Sequence, residues 1–431
     1  MRVLVLGGYG LIGLEIVRRL CADGIEVVGL GRSAALGVRS APSIQWISAD
    51  IAKLVAPEDW SRHLVGIDGV VNAAGALQTG LRDDLGAVQQ RAICALFVAC
   101  ERRGVKRFIQ ISAPGVSVSA STAFSRTKAA ADQALRGGAL EWTIFKPGLV
   151  ISASAYGGTS LLRQLAAFPL VQPILLANRR VQIIAADDVA AAVSTALRSD
   201  FAIRQDFDLM HAEALSLAAL VAKFRAWLGF APAVARVDLP MWIGRAIGAL
   251  ADAAGWLGWR SPLRTTALRV LDAEVLGDGE AWTRKSGARL KSPNEIFAAL
   301  PATAQERLFA RAQLVFPVLL MMLIAFWIVS GAIGFLRQDQ AAAVLEATRL
   351  ARWARPLVIG GAVADIAIGL SLCFRPLFRA GLFSALALSA GYLVLASAYR
   401  PALWFDPLGP LVKIFPAMAL ALAVWSMKQE R

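Results

Sequence analysis

An unbroken apolar run from Val3 to Leu6 suits a strand buried on both faces, and beyond a glycine-rich turn Ile12, Ile16 and Leu20 recur at helical spacing. The pattern then repeats. "IEVVGLGRS" predicts a second strand ending at Arg32, "IQWISADI" a third closing on Asp50, "IDGVVNAAG" a fourth running into Asn72, Ala73, Ala74 and Gly75, "RFIQISAPG" a fifth and "EWTIFKPG" a sixth. Helical stretches lie between, including about 84–103 and Ala123 to Leu135. Strands alternating with helices imply right-handed crossovers and an α/β, doubly wound parallel sheet with its ligand at the strands' carboxyl ends. Every loop just named falls on that edge.

From Leu149 the pattern changes. "VQIIAADDVAAAVSTAL" reads as a strand and then a helix with Asp187 or Asp188 near its start, and 205–300 adds another strand, a helix from Leu215 to Leu228 and a tryptophan-bearing stretch. Trp242, Trp256 and Trp259 have two readings: residues at a membrane surface, or the packed face of a lid. Four apolar spans follow. Leu314 to Leu336 is 23 residues without a charge; the others lie between Arg355 and Arg375, between Arg379 and Arg400, and between Asp406 and Lys428, the last interrupted by Lys413. Such lengths cross about 30 Å of hydrocarbon. The expected organisation is a nucleotide-binding domain over 1–210, a helical lid or substrate subdomain over 211–303 and an all-α, four-helix transmembrane domain over 304–431.

The first loop between spans carries Arg337, Arg349, Arg352 and Arg355, against the usual bias of basic residues toward the cytoplasm; a surface or re-entrant helix across "AAAVLEATRLARWARP" lessens the conflict. Asp365 stands mid-span, where a carboxylate costs about 3 kcal/mol and each of that span's nine Leu, Ile, Val and Phe returns only about 0.3 to 0.6. Gly361, Asp365 and Gly369 share one face, which suits close helix packing around a shielded acid. Lys413 is its nearest partner in sequence. The readings are a packing ion pair, or a proton or quinone pathway.

Composition agrees with this division. Hydrophobic residues make up 57% of the 431, charged residues 18%, and mean hydropathy is +0.56, too apolar for a wholly soluble chain. Residues 1–20 carry Glu15, Arg18 and Arg19 where a secretory signal needs an apolar core, so the N-terminal part is expected to stay in the cytoplasm and the chain in the inner membrane. Cys21, Cys94, Cys100 and Cys373 have neither paired nor metal-ligand spacing. Net charge is +14, but the excess is spread, with 12 basic and 6 acidic residues over 304–431 and no arginine-rich arm, so anionic lipid explains it better than nucleic acid.

The chemistry begins in the first turn. Gly7, Gly8, Gly10 and Gly13, with Tyr9, Leu11 and Ile12 between them, let the backbone approach a diphosphate whose charge faces the unpaired N–H groups of the helix start. Arg32 ends the second strand where an acid would bind the ribose of NAD, and an arginine there suits the 2′-phosphate of NADP. NADP(H) is therefore preferred over NAD(H). Asp50, with Ile51, is placed to meet the adenine, or else to cap a helix. Asn72, Ala73, Ala74 and Gly75 are expected along the ribose and nicotinamide side.

GGYGLIG, the Asp50 strand end, NAAG, Ser112 in "QISAPG" and Pro147 in "FKPG" resemble the short-chain dehydrogenase/reductase superfamily over roughly residues 1–300. The match is to its atypical branch, which includes proteins like complex I accessory subunits and sugar-nucleotide epimerases. The membrane part, with "DPLGPLVKIFPAMA" from Asp406, is similar to the DoxX-like family, associated with membrane redox chemistry. In the superfamily a serine on the fifth strand positions the substrate carbonyl, a tyrosine exchanges the proton, and a lysine four residues later lowers its pKa. The resemblance carries the serine role to Ser112 and the lysine role to Lys128, which also binds nicotinamide ribose hydroxyls. The tyrosine slot holds Phe124 in "AFSRTK", which has no proton to give. Ser121, Ser125 and Thr127 lie near in sequence, and Tyr156 is the better substitute acid.

Three functions follow: a reductase of an apolar, quinone-like or isoprenoid substrate at the membrane; a non-catalytic NADP(H)-binding assembly or sensing module; and a membrane unit built on Asp365 and regulated by nucleotide. His63 and His211 stand apart from these motifs and read as structural.

Overall fold

A computed structural model describes residues 1–75, 80, 84–259, 261–346 and 348–428. The chain divides into two compact units, Met1–Ala253 with Ser261–Arg307, and Ala254–Arg260 with Leu308–Arg431.

The first unit is built on seven parallel strands: β1 (Arg2–Leu6), β2 (Glu26–Gly31), β3 (Gln45–Ser48), β4 (Gly69–Asn72), β5 (Arg107–Ile111), β6 (Glu141–Pro147) and β7 (Gln205–Leu209). Their order is β7-β6-β5-β4-β1-β2-β3, so the crossovers reverse direction between β1 and β4 and open the ligand crevice there. Val3 to Leu6 are fully buried because both faces of the sheet are covered. On one face α1 (Leu11–Ala22) presents Ile16, Val17 and Leu20, which share a core with Val189 and Val193 of α3 (Ala186–Arg198). Leu4, Leu6 and Val70 face the other core, with Leu96, Phe108 and Leu135, the last on α2 (Ala123–Gly137). A three-stranded sheet, ordered Ala214–Ser216, Arg180–Ala185, Leu149–Ile151, and a parallel pair, Val171–Leu175 with Ala235–Leu239, complete the unit. The helix α4 (Met241–Trp256) follows that pair.

The second unit is helical. Among the described residues three helices are long and apolar enough to cross a membrane: α5 (Ala304–Leu336), α6 (Ala354–Cys373) and α7 (Phe378–Tyr399). Leu323, Trp327, Leu372, Phe378 and Leu382 form the inner core. Gly331 and Gly369 bring α5 and α6 together: a Cβ on Gly331 would stand 2.6 Å from the Ala362 carbonyl, and one on Gly369 2.5 Å from Ile328. A short helix, Gln338–Glu346, fills the arginine-bearing loop.

The fourth predicted span differs. Turns occupy 406–413, and only α8 (Ile414–Met427) is helical. Its 14 residues reach about 21 Å, short of the hydrocarbon thickness. Pro407, Gly409 and Pro410 stop an apolar composition from becoming a full-length helix. The expected ion pair of Asp365 with Lys413 is also replaced. Lys413 is exposed at the start of α8, while buried Asp365 accepts from Ser330 Oγ at 2.9 Å and Tyr392 Oη at 2.8 Å. The acid thus ties α6 to α5 and α7 through hydroxyls.

Candidate nicotinamide-dinucleotide site

Gly7 ends β1 at φ +69°, and a Cβ there would lie 2.9 Å from Ala74 Cα and 3.0 Å from the Ala73 carbonyl oxygen. Glycine-rich turn and NAAG loop therefore meet backbone to backbone. A Cβ on Gly13 would stand 2.2 Å from the Gly7 carbonyl, so only glycine lets α1 begin so close to the strand. Gly10 donates to that carbonyl at 2.8 Å and caps α1 without a side-chain acceptor, and the first turn, Leu11 and Ile12 included, holds no acid. No acid of the helix's own first turn competes with a diphosphate there. Gly8 packs on the Trp46 indole.

At the end of β2, Tyr9 lays its ring over Gly31 and against Trp46, 5.8 Å between centroids, and its hydroxyl accepts from the Ser33 N–H at 3.3 Å. Arg32 is exposed beside this wall, its carbonyl accepting from Ser48 Oγ at 3.2 Å. Asp50 Oδ1 accepts from the Ala52 N–H at 3.2 Å, capping the short turn Ile51–Lys53, with the Ile51 side chain in the core. Of the two readings for Asp50, the geometry displays the cap.

Asn72 is buried, donates to Gln110 Oε1 at 2.9 Å across β4 and β5, and accepts from the Ala74 N–H at 3.1 Å, bonds that shape the loop. Gly75 is exposed, at a point where a Cβ would be 3.8 Å from Lys128 Nζ. Pro147 closes β6 opposite Leu209.

Ser112, Phe124 and Lys128 come together, joined by a residue absent from the sequence reading. Lys128 is buried and donates from Nζ to the Ile111 carbonyl at 2.9 Å, with the Phe124 ring 5.9 Å away. One turn further along α2, buried Asp132 accepts a hydrogen bond from Ser112 Oγ, and its second oxygen, Oδ1, has no partner among the described residues. Burial pulls the Lys128 ammonium below its ordinary range, and Asp132 opposes the shift. Burial likewise pushes the Asp132 carboxyl up, against the Ser112 bond and the charge of Lys128. In the sequence Asp132 is only an acid four residues after Lys128, and mid-helix acids ordinarily face water.

Tyr156 is 46% exposed at the start of the helix Gly157–Ala166, tied by backbone bonds with Thr159. Buried Arg163 holds the preceding loop by donating from Nη2 to the carbonyls of Ser152 and Ala153, both at 2.9 Å. Among the described residues no hydrogen bond joins Tyr156 to Ser112 or Lys128. Thr127 donates to Gln89 Oε1 at 2.8 Å, and Ser125 belongs to the cap of Thr122. His63 and His211 have local partners, Arg62 and the Glu213 N–H. Among the described residues no group of His, Cys, Asp or Glu is placed to hold a metal ion.

A glycine cradle that any Cβ would fill, an uncapped helix start and a lysine beside the NAAG loop fit a nicotinamide dinucleotide, and together define a Rossmann-type domain. Residues 7–200 match the NAD(P)H-binding family, and residues 324–422 the DoxX-like family. The first match falls within the first unit and the second within the second. An NAD(P)H azoreductase of Xenophilus azovorans is 28% identical over 228 residues, 53% of this chain and 74% of that protein. The photosystem II assembly factor Ycf39 of Synechocystis sp. is 34% identical over 114 residues, 26% of this chain and 33% of that one. An uncharacterized chloroplast protein of Arabidopsis thaliana is 28% identical over 113 residues, 26% of this chain and 36% of its own. The chain therefore spans about a third of the length of two of these relatives. Among solved structures, the UDP-glucose 4-epimerase of Thermotoga maritima aligns with a TM-score of 0.53 at 15% identity over 70% of this chain and 97% of that one. A short-chain dehydrogenase/reductase superfamily protein of Agrobacterium tumefaciens aligns at 0.52, with 18% identity over 73% and 98%. Both share the fold.

Proposed function

We propose that this chain is a membrane-anchored reductase that holds NADP(H) on its cytoplasmic face in the inner membrane and acts on an apolar, quinone-like substrate. What supports the cofactor reading is the cradle of Gly7, Gly10 and Gly13. Arg32, exposed at the end of β2, supports the extra phosphate of NADP. The three apolar helices support passage across a bilayer. Likeness to an NAD(P)H azoreductase supports reduction of an acceptor other than a sugar nucleotide.

The cofactor supplies a hydride when bound. Reducing a quinone to its hydroquinone takes that hydride and one proton. In this reading Lys128 binds the nicotinamide ribose beside Gly75, and the proton comes from Tyr156 or from water. Phe124 and the Ser112–Asp132 bond favour a second reading, a module that binds NADP(H) without turnover, because the hydroxyl that would position a carbonyl is already committed.

The purified chain in detergent, titrated with NADPH by fluorescence and followed at 340 nm with a panel of quinones and aldehydes, separates the two. Turnover that Tyr156→Phe abolishes while binding survives establishes the reductase with Tyr156 as its acid. Full turnover in that variant assigns the proton to water. Binding without turnover establishes the module.

A further inference from the structure

The helix α4 is inverted relative to an ordinary surface helix. Its small residues, Gly244, Gly248, Ala251 and Gly255, are buried, Gly244 against Leu175 and Gly248 against Thr265 and Leu268. Its large apolar residues point outward: Trp242 is 69% exposed, Leu250 73% and Trp256 66%. At 100° per residue these three fall within one third of the helix circumference, opposite the glycines. A contiguous face of two tryptophans and a leucine is more than scattered exposure, and it marks a docking surface.

What covers that face follows from the next residues. The segment Ala254–Arg260 belongs to the helical unit. Leu257 accepts at its carbonyl from the Arg375 N–H at 3.0 Å, and Trp259 donates from Nε1 to the carbonyl of Cys373, the last residue of α6, at 2.7 Å. The Trp259 ring packs edge-on against Phe378, at the start of α7. The chain leaving α4 is therefore fixed where α6 ends and α7 begins, which on the membrane-anchored reading proposed above is the depth of the lipid headgroups. Trp256 precedes Leu257 directly.

We infer that the face of α4 bearing Trp242, Leu250 and Trp256 is seated in the headgroup–acyl boundary of a phospholipid leaflet. Tryptophan suits that boundary, with an apolar ring and an N–H for the polar side. Arg245, exposed at the rim of the face, suits anionic lipid.

The full chain in vesicles of phosphatidylcholine and phosphatidylglycerol, doped with a phosphatidylcholine carrying a diazirine on its acyl chain, tests this by illumination and peptide mass mapping. Lipid adducts are expected on Trp242, Leu250 or Trp256, as well as on α5 to α7, and absent from Val38 and Val65, exposed apolar residues elsewhere in the first unit. In Leu250→Glu the adducts on 241–257 should fall to the level of the Val65 peptide while NADPH binding persists. Adducts confined to α5 to α8 overturn the inference. So does a protein–protein cross-link through 241–257 in place of lipid adducts, which assigns the face to a second copy.

Discussion

Phe124 and Lys128 lie one turn apart on α2, the ammonium 5.9 Å from the centre of the phenyl ring and bonded to the Ile111 carbonyl. A hydroxyl on that ring is all that separates this arrangement from a tyrosine–lysine pair. Phe124→Tyr is therefore expected to create or raise NADPH-dependent reduction of aldehydes, by up to about 10²–10⁴-fold, the usual contribution of a general acid. Absorbance at 340 nm before and after substitution checks it.

Gly13→Ala places a methyl group where the Gly7 carbonyl stands 2.2 Å away. Overpacking of this kind costs about 1–3 kcal/mol, equivalent to roughly a 5- to 150-fold loss of NAD(P)H affinity if all of it falls on the turn. Fluorescence titration measures the loss, and unchanged circular dichroism confines it to the site.

Arg32→Ala should weaken NADPH and leave NADH nearly unchanged. A charge-assisted bond is worth about 1.5–3 kcal/mol, so the NADPH:NADH affinity ratio falls about tenfold or more. Equal losses for both cofactors would place the 2′-phosphate elsewhere.

Burial raises the Asp132 carboxyl above its ordinary 3.8, so between that value and its own the native state holds a proton that the unfolded chain has released. Stability therefore declines as pH rises through that window. Asp132→Asn has no such proton and keeps an acceptor for Ser112. Melting temperatures from pH 4 to 8 should move in favour of the variant as pH rises; parallel curves would mean that Asp132 does not titrate there.

Asp365→Leu deprives the hydroxyls of Ser330 and Tyr392 of their acceptor, at about 1–3 kcal/mol each, whereas Asp365→Asn retains one. Thermal unfolding in detergent should drop more for leucine than for asparagine, with NADPH affinity unchanged in both.

The β1–turn–α1 unit was legible because each residue obeys a local rule: apolar run, glycines at the close approaches, apolar residues at helical spacing. Arg32 was legible by position alone. Asp132 was not, since its burial depends on how α2 docks on the sheet, which no local pattern records. The bond of Asn72 to Gln110 was not legible for a related reason, its partner being on the neighbouring strand. In the apolar region, composition gave the spans but could not register that Pro407 and Pro410 shorten the last helix, nor that Asp365 takes its donors from two other helices.

The hydroxyl bonds to Asp365 also bear on biogenesis. On the membrane-spanning reading proposed above, Tyr392 follows the acid by 27 residues, so when α6 first leaves the translocation machinery one carboxyl oxygen still awaits its donor. The segment is poorly suited to remain alone in lipid until α7 arrives, and a chain truncated before Tyr392 should be retained by the insertion apparatus or degraded. On that reading one acidic side chain would set the order in which three helices assemble.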